Sequence, residues 1–149
     1  MSDNDPLALD RQVCFALAVA NRAVLAVYRP LLEPMGLTHP QYLVMLALWE
    51  QSPRSVKEIG RALQLDSPTL SPLLKRLEVN GLVVRTRSAV DERQLDVDLT
   101  KAGAALRREA EKIPPAVVDK LGVDIAELEE LHTVLGRINR AAIEAGALA

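Results

Sequence analysis

Apolar residues near the beginning of the chain recur every three or four positions, which predicts an amphipathic helix. Asp5 and Pro6 are residue types preferred at a helix start, so the helix is expected to begin there. Pro30 and Pro34 predict a bend or an end, and Gly36 predicts a stop. This pattern indicates a long first helix that has one apolar face.

The next apolar segment, YLVMLALWE over residues 42–50, has no polar face. Thr38 and Gln41 precede it with the spacing of a capping box, in which each side chain bonds the backbone of the other residue. A helix that is apolar nearly all round is buried in a soluble protein. We therefore expect this second helix at the centre of the fold.

Two short helices follow, with a tight turn between them. The first is expected over about 55–63 and the second over about 67–79. Ser55 and Ser67 are the expected caps, and Pro68 then occupies the first position of the second helix. An Asn-Gly pair, which tolerates the left-handed conformation, should end the second helix.

The hydrophobic period then changes from helical to alternating. Residues 82–84 are apolar and mostly β-branched, and 94–99 alternate strictly between apolar and polar. The segment between them, 85–93, is polar and basic, so we expect a two-stranded hairpin with a charged tip. Helices are predicted again over about 100–113, before a Pro-Pro pair, and over about 125–143.

The order of these elements predicts a mainly α fold with a small β-hairpin wing, which is a winged helix-turn-helix with dimerisation helices at both ends. The chain is expected to be a single domain, 1–149. Within it, about 38–100 would form the winged helix-turn-helix and about 101–113 a connecting helix. The dimerisation helices would lie in about 6–36 and 114–149, where the last helix carries more apolar surface than one subunit needs.

The distribution of charge supports a nucleic-acid partner although the net charge is −2. Residues 54–93 contain eight basic and five acidic side chains, a local charge of +3, and the rest of the chain carries −5. A basic centre between acidic ends suits a module that reads DNA. Ordinary scatter of surface charge would explain the same numbers equally well.

Composition restricts the compartment and the chemistry. The acidic beginning MSDNDPLALD has no signal-peptide pattern, and no apolar run approaches the roughly 18 residues of a membrane span. The only cysteine, Cys14, cannot form an internal disulfide, which favours a reducing cytoplasm. No cofactor motif or metal-ligand cluster is present in the sequence, so neither a cofactor nor a metal is expected.

A helix that enters the major groove presents its first turns to the base edges, and the wing reaches phosphates or the adjacent minor groove. The second short helix offers small hydroxyls followed by basic residues, and the hairpin offers arginines. The candidate DNA-binding residues are Ser67, Thr69, Ser71, Lys75, Arg76, Arg85, Arg87 and Arg93. One such module binds weakly, so a homodimer on a pseudo-palindromic operator is expected.

Two segments resemble the MarR family of regulators. The sequence DSPTLSPLLKRLE, residues 66–78, resembles the family's recognition helix, and RTRSAVDER, residues 85–93, resembles its wing. The wing's D-x-R element falls at Asp91 and Arg93, so the resemblance adds Asp91 to the DNA-binding residues. It implies a dimer that represses nearby genes until a signal changes the spacing of its two recognition helices.

Three further segments resemble the organic-hydroperoxide-sensing repressors within that family, the OhrR group. They are CFAL at 14–17, YRPLL at 28–32 and PQYL at 40–43. The resemblance implies that Cys14 is the oxidised residue and that Tyr28 of the partner subunit stabilises its thiolate. His39 occupies the position of a second such tyrosine, and Ala18 that of a further aromatic residue, so this chain departs from the pattern at two places.

A thiolate that reduces a peroxide becomes a sulfenic acid. With no second cysteine in the chain, the next product would be a mixed disulfide with a low-molecular-weight thiol, or overoxidation. His39 can donate a hydrogen bond to the thiolate, or can lower its pKa when protonated. A surface role for His39 and an inert, structural Cys14 are the corresponding simpler interpretations.

Three other functions remain open at this point. A MarR-type repressor could respond to a small phenolic or lipid ligand, with Cys14 structural. A thiol-dependent, peroxidase-like enzyme is a remote alternative, because no peroxidase motif accompanies the cysteine. The fold could also be an interaction module that has lost DNA binding, against which the basic wing argues. We expect a regulator and not an enzyme.

Overall fold

The fold is built around one central helix, α2, and a computed structural model describes residues 5–148 of the chain. The helices are α1 Val13–Leu32, α2 His39–Glu50, α3 Val56–Leu63, α4 Ser67–Val79, α5 Lys101–Ala105, α6 Arg107–Ala110, α7 Ile113–Leu121 and α8 Ile125–Glu144. The strands are β1 Arg54–Ser55, β2 Val83–Arg87 and β3 Leu95–Leu99. This mainly helical architecture with a small sheet confirms the predicted fold class.

The expected start of the first helix at Asp5-Pro6 is wrong. Asp5 instead accepts a hydrogen bond from the Leu7 backbone in a turn, and a short 3-10 helix, Leu9–Arg11, follows. The Gln12 side chain donates to two backbone carbonyls of this segment, and α1 begins only at Val13. A local cap therefore closes a turn here and does not nucleate the helix.

α1 passes through Pro30 and ends two residues later. The chain then makes a 3-10 turn and reaches Gly36 in the left-handed conformation, as its residue type predicts. The predicted capping box of α2 is confirmed, since Thr38 and Gln41 exchange both hydrogen bonds. Val44, Met45 and other α2 side chains are fully buried, so the predicted central position is also confirmed.

The two short helices form the expected helix-turn-helix. Ser55 caps α3 by accepting from the Glu58 backbone, and Gln64 turns the chain in the left-handed conformation. The expectation that Ser67 caps α4 is wrong by one residue. Asp66 is the cap, because its carboxylate accepts from the Thr69 backbone at 2.8 Å and Ser67 is already helical.

The wing is part of a three-stranded antiparallel sheet in the order β1-β3-β2, not of a two-stranded hairpin alone. The added strand, β1, has only two residues and pairs Arg54 with Val97. β2 and β3 pair from Val83–Leu99 to Arg87–Leu95. Val83 and Val97 point into the core, which anchors the base of the wing below α4.

The single helix expected over 100–113 is instead two short helices, α5 and α6. Thr100 caps α5 as predicted, but α5 ends at Ala105. The Pro-Pro pair does not end a helix; it lies in the first turn of α7, where proline lacks only a backbone N–H that would be unpaired anyway. α7 packs against α1, whereas α8 has no buried residue, so the predicted dimerisation segment 114–149 divides into two unlike parts.

No uninterrupted apolar run in the chain approaches the length of a membrane span, as expected, but one described segment meets a looser criterion of length and composition. Val13–Met35 meets the length and composition of a span, although it contains Arg22, Arg29 and Glu33. A span tolerates isolated charges, so a long apolar helix can meet this criterion without an uninterrupted apolar run. Little of this segment is buried within one subunit, so its apolar surface still requires a partner surface.

Candidate DNA-binding surface and thiol site

α4 has one face in the core and one in solvent. Leu70, Leu74 and Leu77 are fully buried and hold the helix against the domain. The predicted DNA-binding residues of this helix are all exposed: Ser67, Thr69, Ser71, Lys75 and Arg76. Hydrogen bonds from Thr69 hold the pKa of the Asp66 carboxyl below its usual value, so this acceptor stays ionised at the helix start. The helix is therefore held in place by its buried leucine face and presents hydroxyl and basic groups to solvent.

The tip of the wing is shaped by its own polar residues. The Ser88 hydroxyl accepts from the backbones of Val90 and Asp91, and the Asp91 carboxylate accepts from the Arg93 backbone at 3.1 Å. The Arg93 guanidinium lies 3.5 Å from that carboxylate and remains 94% exposed. Asp91 therefore shapes the turn that presents Arg93, a role the D-x-R pattern alone does not reveal.

The other two wing arginines also have partners within the subunit. Arg87 donates to the backbone carbonyl of Glu92 at 2.9 Å, which bridges the two sides of the tip. Arg85 is half-buried and forms an ion pair with Glu78 of α4 at 3.2 Å. The structure thus places Arg87 and Arg93 at the tip and separates Arg85 from them.

Three polar aromatic residues meet where α1 approaches the start of α2. The ring centroids of Tyr28 and His39 are 4.9 Å apart, and Tyr42 lies 5.9 Å from Tyr28 and 6.1 Å from His39. Tyr42 was not among the predicted site residues. Its helical spacing of three from His39 is the sequence signal that places both on one side of α2.

Burial changes the ionisation of all three groups. It raises the pKa of the Tyr28 and Tyr42 phenols, and the neighbouring Tyr28 raises that of Tyr42 further. Burial lowers the pKa of His39 below its ordinary value of 6.5. His39 is therefore neutral at pH 7 and carries one N–H donor, which favours a hydrogen-bonding role over a cationic one.

Cys14 is exposed in the first turn of α1 and does not meet this cluster within one subunit. It precedes Tyr28 by fourteen residues on the same helix, which corresponds to a separation of about 21 Å along the axis. Next to the cluster lies an open cavity of about 410 Å³ whose lining includes Leu25, Arg29 and His39. Any contact between Cys14 and the cluster must therefore be made across two subunits.

The family model for MarR matches residues 37–95, which span α2, the helix-turn-helix and most of the wing. The organic hydroperoxide resistance transcriptional regulator of Bacillus subtilis is 40% identical over 140 residues, covering 91% of this chain and 95% of that protein. The chain belongs to the MarR family. The regulator TtmR of Methylorubrum extorquens is 48% identical over 128 residues, 86% of this chain and 66% of that protein.

Solved structures of MarR-type proteins share the fold. The structure of reduced AbfR bound to DNA has a TM-score of 0.79 and 36% identity, and covers 92% of this chain and 94% of that one. The structure of AbfR of Staphylococcus epidermidis has a TM-score of 0.76 and 35% identity, with 91% and 94% covered. Overoxidized AbfR bound to DNA has also been solved, with a TM-score of 0.68, 38% identity and coverage of 87% and 95%.

Membership of the MarR family confirms two predictions from the sequence. The fold is a winged helix-turn-helix, and the protein is of the transcriptional-regulator class and not an enzyme. Among residues 5–148, no group of three His, Cys, Asp or Glu side chains is arranged to hold a metal ion. The roles of the individual site residues stay predictions.

Proposed function

We propose that this MarR-family protein is a homodimeric repressor that leaves its operator when organic hydroperoxides oxidise Cys14. One observation carries the proposal: an exposed Cys14 and a polar aromatic cluster lie at opposite ends of the same largely uncovered helix. A two-fold axis across that helix would bring the thiol of one subunit to the cluster of the other. The similarity to a hydroperoxide resistance regulator supports the oxidant class.

The dimer is proposed from the apolar surface that one subunit leaves uncovered. On α1 and α8, described side chains that are at least 37% exposed include Val13, Phe15, Val19, Leu131, Val134 and Ile138. Removing apolar surface from water contributes about 25 cal/mol per Å². Exposed apolar side chains on two long helices are therefore a strong driving force for association, and a second copy offers the same apolar faces.

The proposed sensing step begins with the Cys14 thiolate. It attacks one peroxide oxygen, the O–O bond breaks, and the other oxygen leaves as an alcohol after taking a proton, so that sulfur gains the oxygen as a sulfenic acid. A low-molecular-weight thiol then displaces the hydroxyl as water and forms a mixed disulfide. The partner's phenol and neutral imidazole would donate hydrogen bonds to the thiolate before attack.

Oxidation would act on DNA binding through the dimer contact. A sulfenic acid or mixed disulfide adds polar volume where apolar helix surfaces meet, which disfavours the reduced arrangement. Because a dimer binds half-sites at a set spacing, a changed separation of the two α4 helices would weaken binding to the operator. The exposed hydroxyls of α4, with Lys75 and Arg76, would contact bases and phosphates in that complex.

We also propose a cytoplasmic location. A repressor must meet chromosomal DNA, and a sensor that cycles through a free thiol needs a compartment that reduces its mixed disulfide.

The test is a DNA-shift titration on the protein's own promoter, with and without organic hydroperoxide, combined with mass spectrometry of Cys14. We expect the wild type to bind and to be released as Cys14 gains mass, and Cys14→Ser to bind equally and to remain bound after treatment. Release of Cys14→Ser by the oxidant would refute the redox mechanism. Release of both proteins by a phenolic or lipid compound, with no effect of oxidant, would favour the ligand-responsive alternative.

A further inference from the structure

The carboxylate of Glu78 joins the recognition helix to the wing. Glu78 lies in the last turn of α4, and both of its oxygens accept from Arg85 on β2. The Arg85 guanidinium donates to one oxygen at 3.2 Å and to the other at 3.5 Å, and the Arg85 backbone N–H donates at 3.2 Å. A guanidinium that donates to both oxygens of a carboxylate fixes the relative orientation of the two groups as well as the distance between them.

This pair is less exposed than an ordinary surface ion pair. The side chain of Arg85 is 24% exposed and that of Glu78 is 38% exposed. The guanidinium holds the pKa of the Glu78 carboxyl below its usual value, so the carboxylate is charged throughout the neutral range. Arg85 also lies opposite the buried Val97 on β3, which ties the pair to the core of the wing.

An acidic residue is unexpected at this place. Glu78 is the one acid within α4, whose exposed side faces the proposed DNA, and a negative charge near phosphates opposes binding. The short connection from α4 to β2 already has backbone bonds, from Gly81 to Glu78 and from Leu82 to Leu77. Glu78 adds a link beyond this turn, between the helix itself and the strand that leads to the wing tip.

We infer that Glu78, through Arg85, sets the angle between the recognition helix and the wing, and thereby determines how well the protein discriminates its operator from other DNA. The inference rests on the proposed DNA-binding function. Base contacts by α4 and phosphate contacts by the wing must be made at once on a specific site, whereas non-specific binding needs only charge. Glu78 is thus a positioning residue, and so is Arg85, which the sequence had placed among the DNA contacts.

The two roles of Arg85 give opposite expectations for Glu78→Gln. If Arg85 contacted phosphate directly, loss of the carboxylate would free it and tighten binding to any DNA. If the pair positions the wing, the same change weakens operator binding on the order of tenfold and leaves non-specific binding unchanged or slightly tighter, because a negative charge is removed.

The experiment measures the dissociation constants of the full-length protein for its promoter DNA and for a scrambled duplex of equal length, at several salt concentrations. The variants are Glu78→Gln, Arg85→Gln and the exchange Glu78→Arg/Arg85→Glu. Glu58→Gln is the matched control, since it removes the same charge from an exposed position on α3. Thermal unfolding of every variant is recorded alongside.

We expect Glu78→Gln and Arg85→Gln to lower the ratio of operator to scrambled binding on the order of tenfold, and the exchange to recover at least part of it. Glu58→Gln should not lower the ratio. Equal or tighter operator binding by Glu78→Gln, or a fall in the melting temperature with an unchanged ratio, would overturn the inference while leaving the DNA-binding function intact. If the wild type binds operator and scrambled DNA alike, the proposed function fails and the inference fails with it.

Discussion

The rings of Tyr28 and His39 lie 4.9 Å apart at an angle of 68°, so the end of α1 and the start of α2 share an edge-to-face contact. This contact orders two hydrogen-bonding side chains beside an open cavity, and in the proposed dimer the cysteine that meets them is that of the second subunit. The contact thus joins the proposed thiol site to the central helix α2, which also contacts β3.

Replacing His39 with phenylalanine should slow the reaction of Cys14 with an alkylating reagent at neutral pH. The phenyl ring keeps the packing against Tyr28 but has no N–H to donate to the partner's thiolate, so the thiolate of Cys14 should lose a stabilising hydrogen bond. The measurement is the alkylation rate of the native protein as a function of pH. His132→Phe, a change of the same kind on α8, is the control, and an unchanged profile for His39→Phe would remove His39 from the thiol site.

Stability should fall as the pH drops through about 6.5 and below because of His39. Burial lowers the pKa of His39 in the folded protein, so the unfolded chain, with a pKa of about 6.5, binds a proton more readily. Unfolding then takes up a proton, and stability rises with pH across the interval between the two pKa values. The urea concentration at the midpoint of unfolding should decrease less on acidification in His39→Phe than in the wild type. The same dependence of this midpoint on pH in both proteins would contradict the prediction.

Arg93→Ala should weaken operator binding on the order of tenfold and make it less sensitive to salt. The Arg93 guanidinium is 94% exposed at the wing tip and has only an exposed carboxylate beside it, so it is available to a phosphate. Each phosphate contact that is lost lowers the slope of log affinity against log salt by about 0.9. Arg108→Ala, an exposed arginine on α6, should change neither quantity, and an unaltered slope for Arg93→Ala would exclude the wing tip from DNA contact.

Gly103→Ala should destabilise the fold by about 1–3 kcal/mol. A Cβ at Gly103 would clash with the backbone carbonyl of Leu82, at the foot of the wing, and that backbone cannot move cheaply. The Gly103 carbonyl also accepts from the Trp49 indole at 2.9 Å, which ties α5 to the central helix. Thermal unfolding measures the effect. Ala104→Ser, at an exposed neighbouring position, is the control, and its free energy of unfolding should stay within about 0.5 kcal/mol of the wild type. Equal stability of the two variants would disprove the close packing.

The sequence was sufficient to predict an element wherever a short-range hydrogen bond or an apolar helix face determines its structure. The capping box of Thr38 and Gln41 and the burial of α2 were predicted correctly for this reason. The predictions from sequence were wrong where the local residues permit two different structures. Asp5 closes a turn instead of starting α1, and Asp66 outcompetes Ser67 as the cap of α4 because its carboxylate reaches the Thr69 backbone.

Composition and spacing alone predicted the class of fold, the short helix that carries hydroxyl side chains and the basic wing, and they identified the single cysteine. Only the tertiary structure decided which of these groups have partners. Arg85 and Arg93 are both wing arginines in the sequence, yet Arg85 is paired with Glu78 across two elements and Arg93 is exposed. β1 and the cluster of Tyr28, His39 and Tyr42 likewise depend on contacts between distant segments. Such contacts form only when helices and strands pack together. They join residues that are far apart in the sequence, so spacing between neighbouring residues does not predict them.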